Sequence, residues 1–424
     1  MSRESYLVIG GEGFLGSTLV RTLVERYPDA SVASLDIVQR HFPEKPRWTF
    51  YSVDLTSLDS LSDAIQKTSA TCVFHTASPW TGSGADICEK VNVQGTQTVV
   101  DACIKQGVQK LVFTSSAGTV YNGVHLINVD ERMPFPEDPI DAYNATKAKA
   151  ETIVLEANGK GGLKTVALRP AGIFGPGDRQ AVPGILDVLK SGKTAFQLGD
   201  NKNLFDWTYV DNVVHAHVIA SERLGERVSA IDLLDRSLPI DLDIPRRELP
   251  TSSFRPSSLL DDEIKHDATF KNGTPDEPLG AGRTKYDQFF NAEQLAQSQD
   301  EHSQYDVAGQ AFFITNGEPI PFWDFPRAIW VAYNGHVPKL IVPLPVAVGL
   351  ALASVGETVT GLMGKTPNLT RGKVVYSTVN RYYNIEKARR VLGYEPIVGL
   401  QEGINRAVKW YKDNEASTAA GKKA

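Results

Sequence analysis

Residues 6–16, Tyr-Leu-Val-Ile-Gly-Gly-Glu-Gly-Phe-Leu-Gly, constrain this chain more than any other stretch. The apolar run 6–9 reads as a short buried strand. Gly10, Gly11, Gly13 and Gly16 follow, and then residues 17–26 place Leu19, Leu23 and Val24 on one helical face. Glycines allow a tight turn and a close backbone approach, and a helix N-terminus offers unpaired N–H groups and a positive dipole end. Strand, turn and helix in this order make a cradle for the pyrophosphate of a dinucleotide, where an isolated glycine pattern would be only a glycine-rich turn.

The second strand, residues 31–36, ends in Asp36. That acid lies about 20 residues past the glycine turn, the spacing for a carboxylate on the adenosine ribose hydroxyls. A 2′-phosphate would meet it as a like charge. NAD is therefore the expected cofactor and NADP the alternative, with Arg40 and His41 nearby as opposing charges. A third strand over 48–53 leads to Asp54, a contact for the adenine amino group or, equally, a helix N-cap. The fourth strand, 71–77, runs into Ser78 and passes beside the cofactor. Residues 91–100 form an amphipathic helix whose Asn92 either orders the site or is a structural buried amide.

The fifth strand, from Lys110, ends in the hydroxyls Thr114, Ser115 and Ser116. The helix opened by Asp141 carries Tyr143 and Lys147 four residues apart, on one face. Oxidising an alcohol requires a base for its proton. A free tyrosine, with a pKa of about 10, is a poor one. A lysine one turn away and a positive nicotinamide both favour the phenolate. Tyr143 is thus the expected general base, Lys147 its tuner and ribose clamp, and Ser116 the group that orients substrate. The expected cofactor contacts are Gly10, Gly13, Phe14, Leu15, Gly16, Asp36, Asp54, Leu55, Thr76, Ala77, Tyr143, Lys147 and Pro170.

The formal charge of −6 disfavours nucleic acid. Cys72, Cys88 and Cys103 have no metal-ligand spacing and fit a reducing compartment. His215 and His217, two apart on a helix, diverge, and no metal site is expected. No signal peptide is expected, because the first strand starts at once.

These motifs resemble the extended short-chain dehydrogenases/reductases: Gly10-Gly-Glu-Gly-Phe-Leu-Gly16, Thr114-Ser-Ser116, Tyr143 with Lys147, and Arg169-Pro170. Residues 169–178, 203–217 and 312–323 resemble the 3β-hydroxysteroid dehydrogenase branch, and within it the decarboxylating dehydrogenases of sterol C-4 demethylation. The resemblance covers about 5–225 and 306–412. It implies an α/β fold, a Rossmann-type doubly wound parallel sheet with a smaller C-terminal substrate-binding lobe. It also implies NAD-dependent oxidation of the 3β-hydroxyl of a 4α-carboxysterol, with loss of carbon dioxide. The alternatives are another hydroxysteroid dehydrogenase or dihydroflavonol-type reductase, and a noncatalytic dinucleotide-binding scaffold. The implied partners are the sterol, a membrane-bound demethylation complex and a second copy in a homodimer.

The expected organisation is a Rossmann core at 1–170, substrate lobe mixed with core at 171–235, a partly disordered insertion at 236–305, C-terminal lobe at 306–412 and a disordered tail at 413–424. Residues 340–356 are apolar and uncharged, yet short of the ~20 residues a spanning helix needs. They read as a buried or interfacial helix, and with a sterol substrate the resemblance implies the endoplasmic reticulum membrane. The sequon Asn144-Ala-Thr146 lies in the catalytic helix, which places that domain on the cytosolic face. Arg179 is a candidate for the substrate carboxylate or simply a surface arginine.

Overall fold

The computed structural model describes residues 4–40, 47–80, 82–229, 304–362 and 369–421. The expected insertion at 236–305 lies almost wholly outside the described residues, as does His41. The chain begins β1 (Ser5–Ile9), α1 (Phe14–Arg26), β2 (Ser31–Asp36), β3 (Thr49–Ser52), α2 (Leu58–Thr68) and β4 (Cys72–His75). It continues with α3 (Ala85–Cys88), α4 (Gly95–Lys105), β5 (Lys110–Thr114), β6 (Leu126–Val129), α5 (Ala142–Glu156), β7 (Lys164–Pro170), α6 (Ala181–Lys190) and α7 (Val210–Arg223).

Seven strands form one parallel sheet in the order Gln310–Ile314, β7, β5, β4, β1, β2, β3. Alternation along β1 explains its two covered faces. Leu7 and Ile9 pack with Leu61 and Ile65 of α2, Val99 and Val100 of α4 and Val154 of α5. Tyr6 and Val8 point the other way, among Leu19 and Leu23 of α1 and Val213, Val214 and Val218 of α7. This is the doubly wound sheet read from the sequence. The strand order reverses at β1, which has β2 on one side and β4 on the other. In doubly wound sheets of this kind ligands bind at such a switch point, outside the carboxyl ends of the strands.

The smaller lobe is built on a four-stranded sheet of Ile320–Pro321, Leu204–Phe205, Arg381–Tyr383 and β6. Aromatic packing consolidates it, with Trp207 stacked on Phe325 at 4.0 Å between ring centroids. A helix, Val346–Leu362, lies on the outside of the lobe. The apolar run therefore does not form a buried helix: Val348, Leu352, Val355 and Val359 are 44%, 54%, 64% and 49% exposed.

The tail corrects the expectation of disorder after residue 412. The last helix, Leu400–Gly421, carries straight through that point. Glu415 accepts hydrogen bonds from Lys190 and Tyr333, both at 2.5 Å, and the alanines that follow favour helix. Small polar composition was a poor guide where a long-range contact fixes the chain.

Candidate active site

The glycine turn is shaped by close approaches. Gly10 has φ +81°, and a Cβ there would come within 2.6 Å of the Ala77 nitrogen. A Cβ at Gly16 would come within 2.1 Å of the Gly10 carbonyl oxygen. Side chains would thus push the end of β4 and the start of α1 off the turn. Gly13 is the N-cap of α1, with no side-chain cap and no acid in the first turn, so the leading N–H groups stay available for an anion.

Asp36 stands at the end of β2 beside this turn. Its Oδ2 accepts from the Glu12 N–H at 3.2 Å and its Oδ1 from the Ile37 N–H at 2.8 Å. Glu12 was missed from the sequence. Its buried carboxylate accepts from the Ser34 hydroxyl at 2.9 Å and the Arg40 N–H at 2.8 Å. It ties the glycine turn to β2 and to the loop that follows, and it places a second negative group next to Asp36. The signal was legible: an acid inside a glycine turn has to be either solvated or held. Turn, open helix end and acid together fit a dinucleotide.

The other expected contacts have these surroundings. Thr76 donates to the Ile9 carbonyl at 2.9 Å, and Ala77 is the residue packed on Gly10. Leu15 is buried and Phe14 half-buried, its ring near Gly177. Pro170 ends β7, in register with Ile314. Leu55 is buried against Gly95. Asp54 follows Val53, whose N–H bonds to the Asp36 carbonyl. Its Oδ1 accepts from the Thr56 backbone and hydroxyl, which hold its pKa down. The N-cap of α2 is Ser57 rather than Asp54.

The three hydroxyls at the end of β5 have separate fates. The Thr114 side chain meets His217 Nε2 at 2.6 Å. Ser115 donates to Glu151 Oε2 at 2.5 Å, and Glu151 holds Arg169 in a buried ion pair at 2.6 Å. Of the three, Ser116 alone acts on Tyr143, whose pKa it and Ser78 draw down by hydrogen bonding. Ser116 Oγ also accepts the Gly118 N–H at 3.0 Å, which fixes its rotamer.

Asp141 caps α5 by accepting the Asn144 N–H at 2.7 Å, which places Tyr143 in the first turn and Lys147 one turn later. Burial raises the Tyr143 pKa, while the Ser78 and Ser116 hydrogen bonds pull it down. Lys147 is buried and donates to the Thr114 carbonyl at 2.8 Å. Burial lowers its pKa to about 7, against an opposing pull from Glu151. A lysine poised near neutrality beside a hydrogen-bonded phenol is a proton-handling unit.

Ser78, at the end of β4, was a second residue the sequence left unassigned. It donates to Asn92 Oδ1 at 3.2 Å, and Asn92 donates to Thr146 at 3.0 Å. Asn92 sits in a π-helical turn, Glu89–Gln94, spliced between α3 and α4. Buried, it ties Ser78 to Thr146 of α5. The sequon is closed to modification, since Asn144 and Thr146 are both buried. Arg179 is exposed, as the surface reading has it. The three cysteines are free and buried. No group of metal-ligating side chains occurs among the described residues.

A dinucleotide cradle joined to a serine–tyrosine–lysine cluster at the ends of β4 and β5 defines a short-chain oxidoreductase. The sequence profile of the 3-beta hydroxysteroid dehydrogenase/isomerase family matches residues 7–234. A decarboxylating sterol-4-alpha-carboxylate 3-dehydrogenase of Schizosaccharomyces pombe is 41% identical, over 97% of this chain and 98% of its own. The Homo sapiens protein of that name is 32% identical, over 96% and 87%. Among solved structures, a Thermus thermophilus UDP-glucose 4-epimerase with NAD shares the fold at TM-score 0.60 and 20% identity, covering 96% of this chain and 98% of its own. The chain belongs to the 3-beta hydroxysteroid dehydrogenase/isomerase family.

Proposed function

We propose that this protein oxidises the 3β-hydroxyl of a 4α-carboxysterol to the ketone, with NAD as acceptor, and that carbon dioxide is then lost. The observation that carries the reading is Tyr143 and Lys147 one turn apart at the start of α5, with Lys147 buried and bonded to the Thr114 carbonyl at the end of β5. The names of the relatives supply the substrate. Gly10, Gly13, Gly16 and Asp36 would hold the cofactor, which when bound supplies the hydride acceptor. Ser116 orients the substrate hydroxyl. Tyr143 removes its proton, and the charged form of Lys147 favours the phenolate that does so. The ketone formed stands β to the carboxylate. The carbon–carbon bond to the carboxylate then breaks, its electron pair enters the ketone as an enolate, and carbon dioxide leaves. A proton returns to C-4, so no dedicated decarboxylation base is required.

A cytosolic-face membrane location, at the endoplasmic reticulum, belongs to the same reading. No helix among the described residues is long and apolar enough to cross a bilayer. The exposed valines and Leu352 of Val346–Leu362, with Leu340 and Val337 beside it, suit a helix lying in the interface. The test of function is purified protein with NAD⁺ and a 4α-carboxysterol, following NADH and carbon dioxide together. Equimolar release of both is expected. NADH with carboxylate-free sterols alone would replace the reading with a simple hydroxysteroid dehydrogenase, and no turnover of any alcohol would leave a scaffold.

A further inference from the structure

An anionic substrate carboxylate needs a cation, and Arg179 is on the surface. The buried arginines of the lobe are already matched: Arg389 with Glu386 at 3.0 Å, Arg327 with Asp324 at 3.5 Å, and Arg390 with Glu386 at 3.6 Å. Arg381 is different. Its guanidinium lies over the rings of Tyr121 at 4.2 Å, Tyr376 at 4.9 Å and Phe205 at 5.5 Å. Its Nε donates to the Tyr383 hydroxyl at 3.3 Å. Among the described residues it has no acidic partner; its contacts are the three ring faces and one tyrosine hydroxyl. Half-buried against these rings, the guanidinium has no counter-ion of its own and stays open to an arriving anion, which would supply one.

Its position ties it to the chemistry. Arg381 and Tyr383 lie two apart on one strand and so share a face. The Tyr383 hydroxyl donates to the carbonyl of Ala117 at 3.1 Å, and Ala117 follows Ser116 directly. Two hydrogen bonds thus link the guanidinium to the residue next to the substrate-orienting serine. Tyr121, the ring closest to it, ends the short helical turn that Ser116 caps. With Nε committed to Tyr383, the two terminal nitrogens make no hydrogen bond within the described residues. They present the parallel pair of donors that a carboxylate accepts.

We propose that Arg381 binds the substrate's carboxylate and so selects a β-hydroxy acid over an uncharged sterol; this rests on the function proposed above. In a 4-carboxy-3-hydroxysterol the carboxylate is one carbon from the reacting hydroxyl. An oxygen held at Ser116 and Tyr143 therefore brings the carboxylate to that side of the site, while Tyr121, Phe205 and Tyr376 offer apolar wall to the ring system.

The test compares two substrates on one protein sample: a 4α-carboxysterol and the same 3β-hydroxysterol without the carboxylate, each with NAD⁺ and read as NADH. Arg381→Gln should lower kcat/KM for the carboxylated substrate on the order of 30-fold more than for its partner, the scale of a lost charge-assisted hydrogen bond. Arg381→Lys should restore part of that selectivity. The ratio cancels any loss of folded enzyme. Equal losses on both substrates, or selectivity retained in Arg381→Gln, would overturn the assignment. Failure of the functional reading has a different signature, wild-type protein that turns over no carboxysterol.

Discussion

Replacing Tyr143 with phenylalanine removes one oxygen and keeps the ring. The hydroxyl's partners keep other bonds: Ser78 still donates to Asn92 Oδ1, and Ser116, half-exposed, still accepts the Gly118 N–H and can turn its O–H to water. Lys147 keeps its bond to the Thr114 carbonyl. Stability should therefore move by no more than about 1 kcal/mol, and the glycine turn proposed to hold the cofactor is untouched. What disappears is the base, a group worth about a hundred- to ten-thousand-fold in rate. Turnover of the 4α-carboxysterol, followed as NADH, should fall by that factor, with NAD affinity from fluorescence titration within twofold of wild type. Wild-type kcat should rise with pH as Tyr143 loses its proton, and this limb should vanish in the variant's residual rate. A Tyr143→Phe enzyme within tenfold of wild type, or one that keeps the pH limb, would refute the assignment of Tyr143 as base.

Asp36→Ala should raise the NADP-to-NAD ratio of kcat/KM by at least about tenfold, since each removed charge facing a 2′-phosphate is worth a kcal/mol or more; an unchanged ratio would remove Asp36 from the ribose role. His75 and His217 are buried neutral, with pKa values lowered by burial to about 3 and about 4. Unfolded, they take up protons near 6.5, so the unfolded chain binds more protons between pH 6.5 and 4 and stability must fall as pH drops through that window. His217→Gln should reduce proton uptake on unfolding there by about one, read from the pH dependence of denaturant midpoints; wild-type slope in the variant would contradict it. The pair Leu352→Glu and Val355→Glu should cut cosedimentation with phospholipid vesicles at least about tenfold, because each exposed apolar side chain gains on the order of 1.5–3 kcal/mol from burial. Wild-type cosedimentation would remove the helix from membrane contact.

The sheet was legible because its signals are local and redundant. β2 was read at its observed ends, and β1, β4 and β5 differ from the reading by a residue or two, since each is a short apolar run stopped by turn residues. The places of the glycine turn, of Asp36 at the end of β2 and of Tyr143 and Lys147 one turn apart on α5 were legible for the same reason: each depends on spacing within one or two elements. Thr114, Ser115 and Ser116 could not be told apart by spacing. Their roles depend on His217 and Glu151, 103 and 36 residues away. Asn92 needed a π-helical turn that no apolar period announces, and Glu12 needed Ser34 and Arg40 from beyond α1. The tail was misjudged because Glu415 reaches back 225 residues to Lys190. Arg381 was invisible because what marks it is the lack of an acid in three dimensions.

The bond from Ser115 to Glu151 has a consequence for how the chemical residue is chosen. Three hydroxyls in a row leave a strand end free to slide by one position at little cost in composition. A slide that brought Ser115 to Tyr143 would strip Glu151 of a short hydrogen bond, and Arg169, already carrying one unsatisfied buried nitrogen, would share a weakened partner. Losing a hydrogen bond to a buried charged group costs on the order of 1.5–3 kcal/mol. The buried acid therefore acts as a gauge for the register of β5. With Ser115 anchored in the core, Ser116 is the hydroxyl left at the strand end for the substrate role proposed for it.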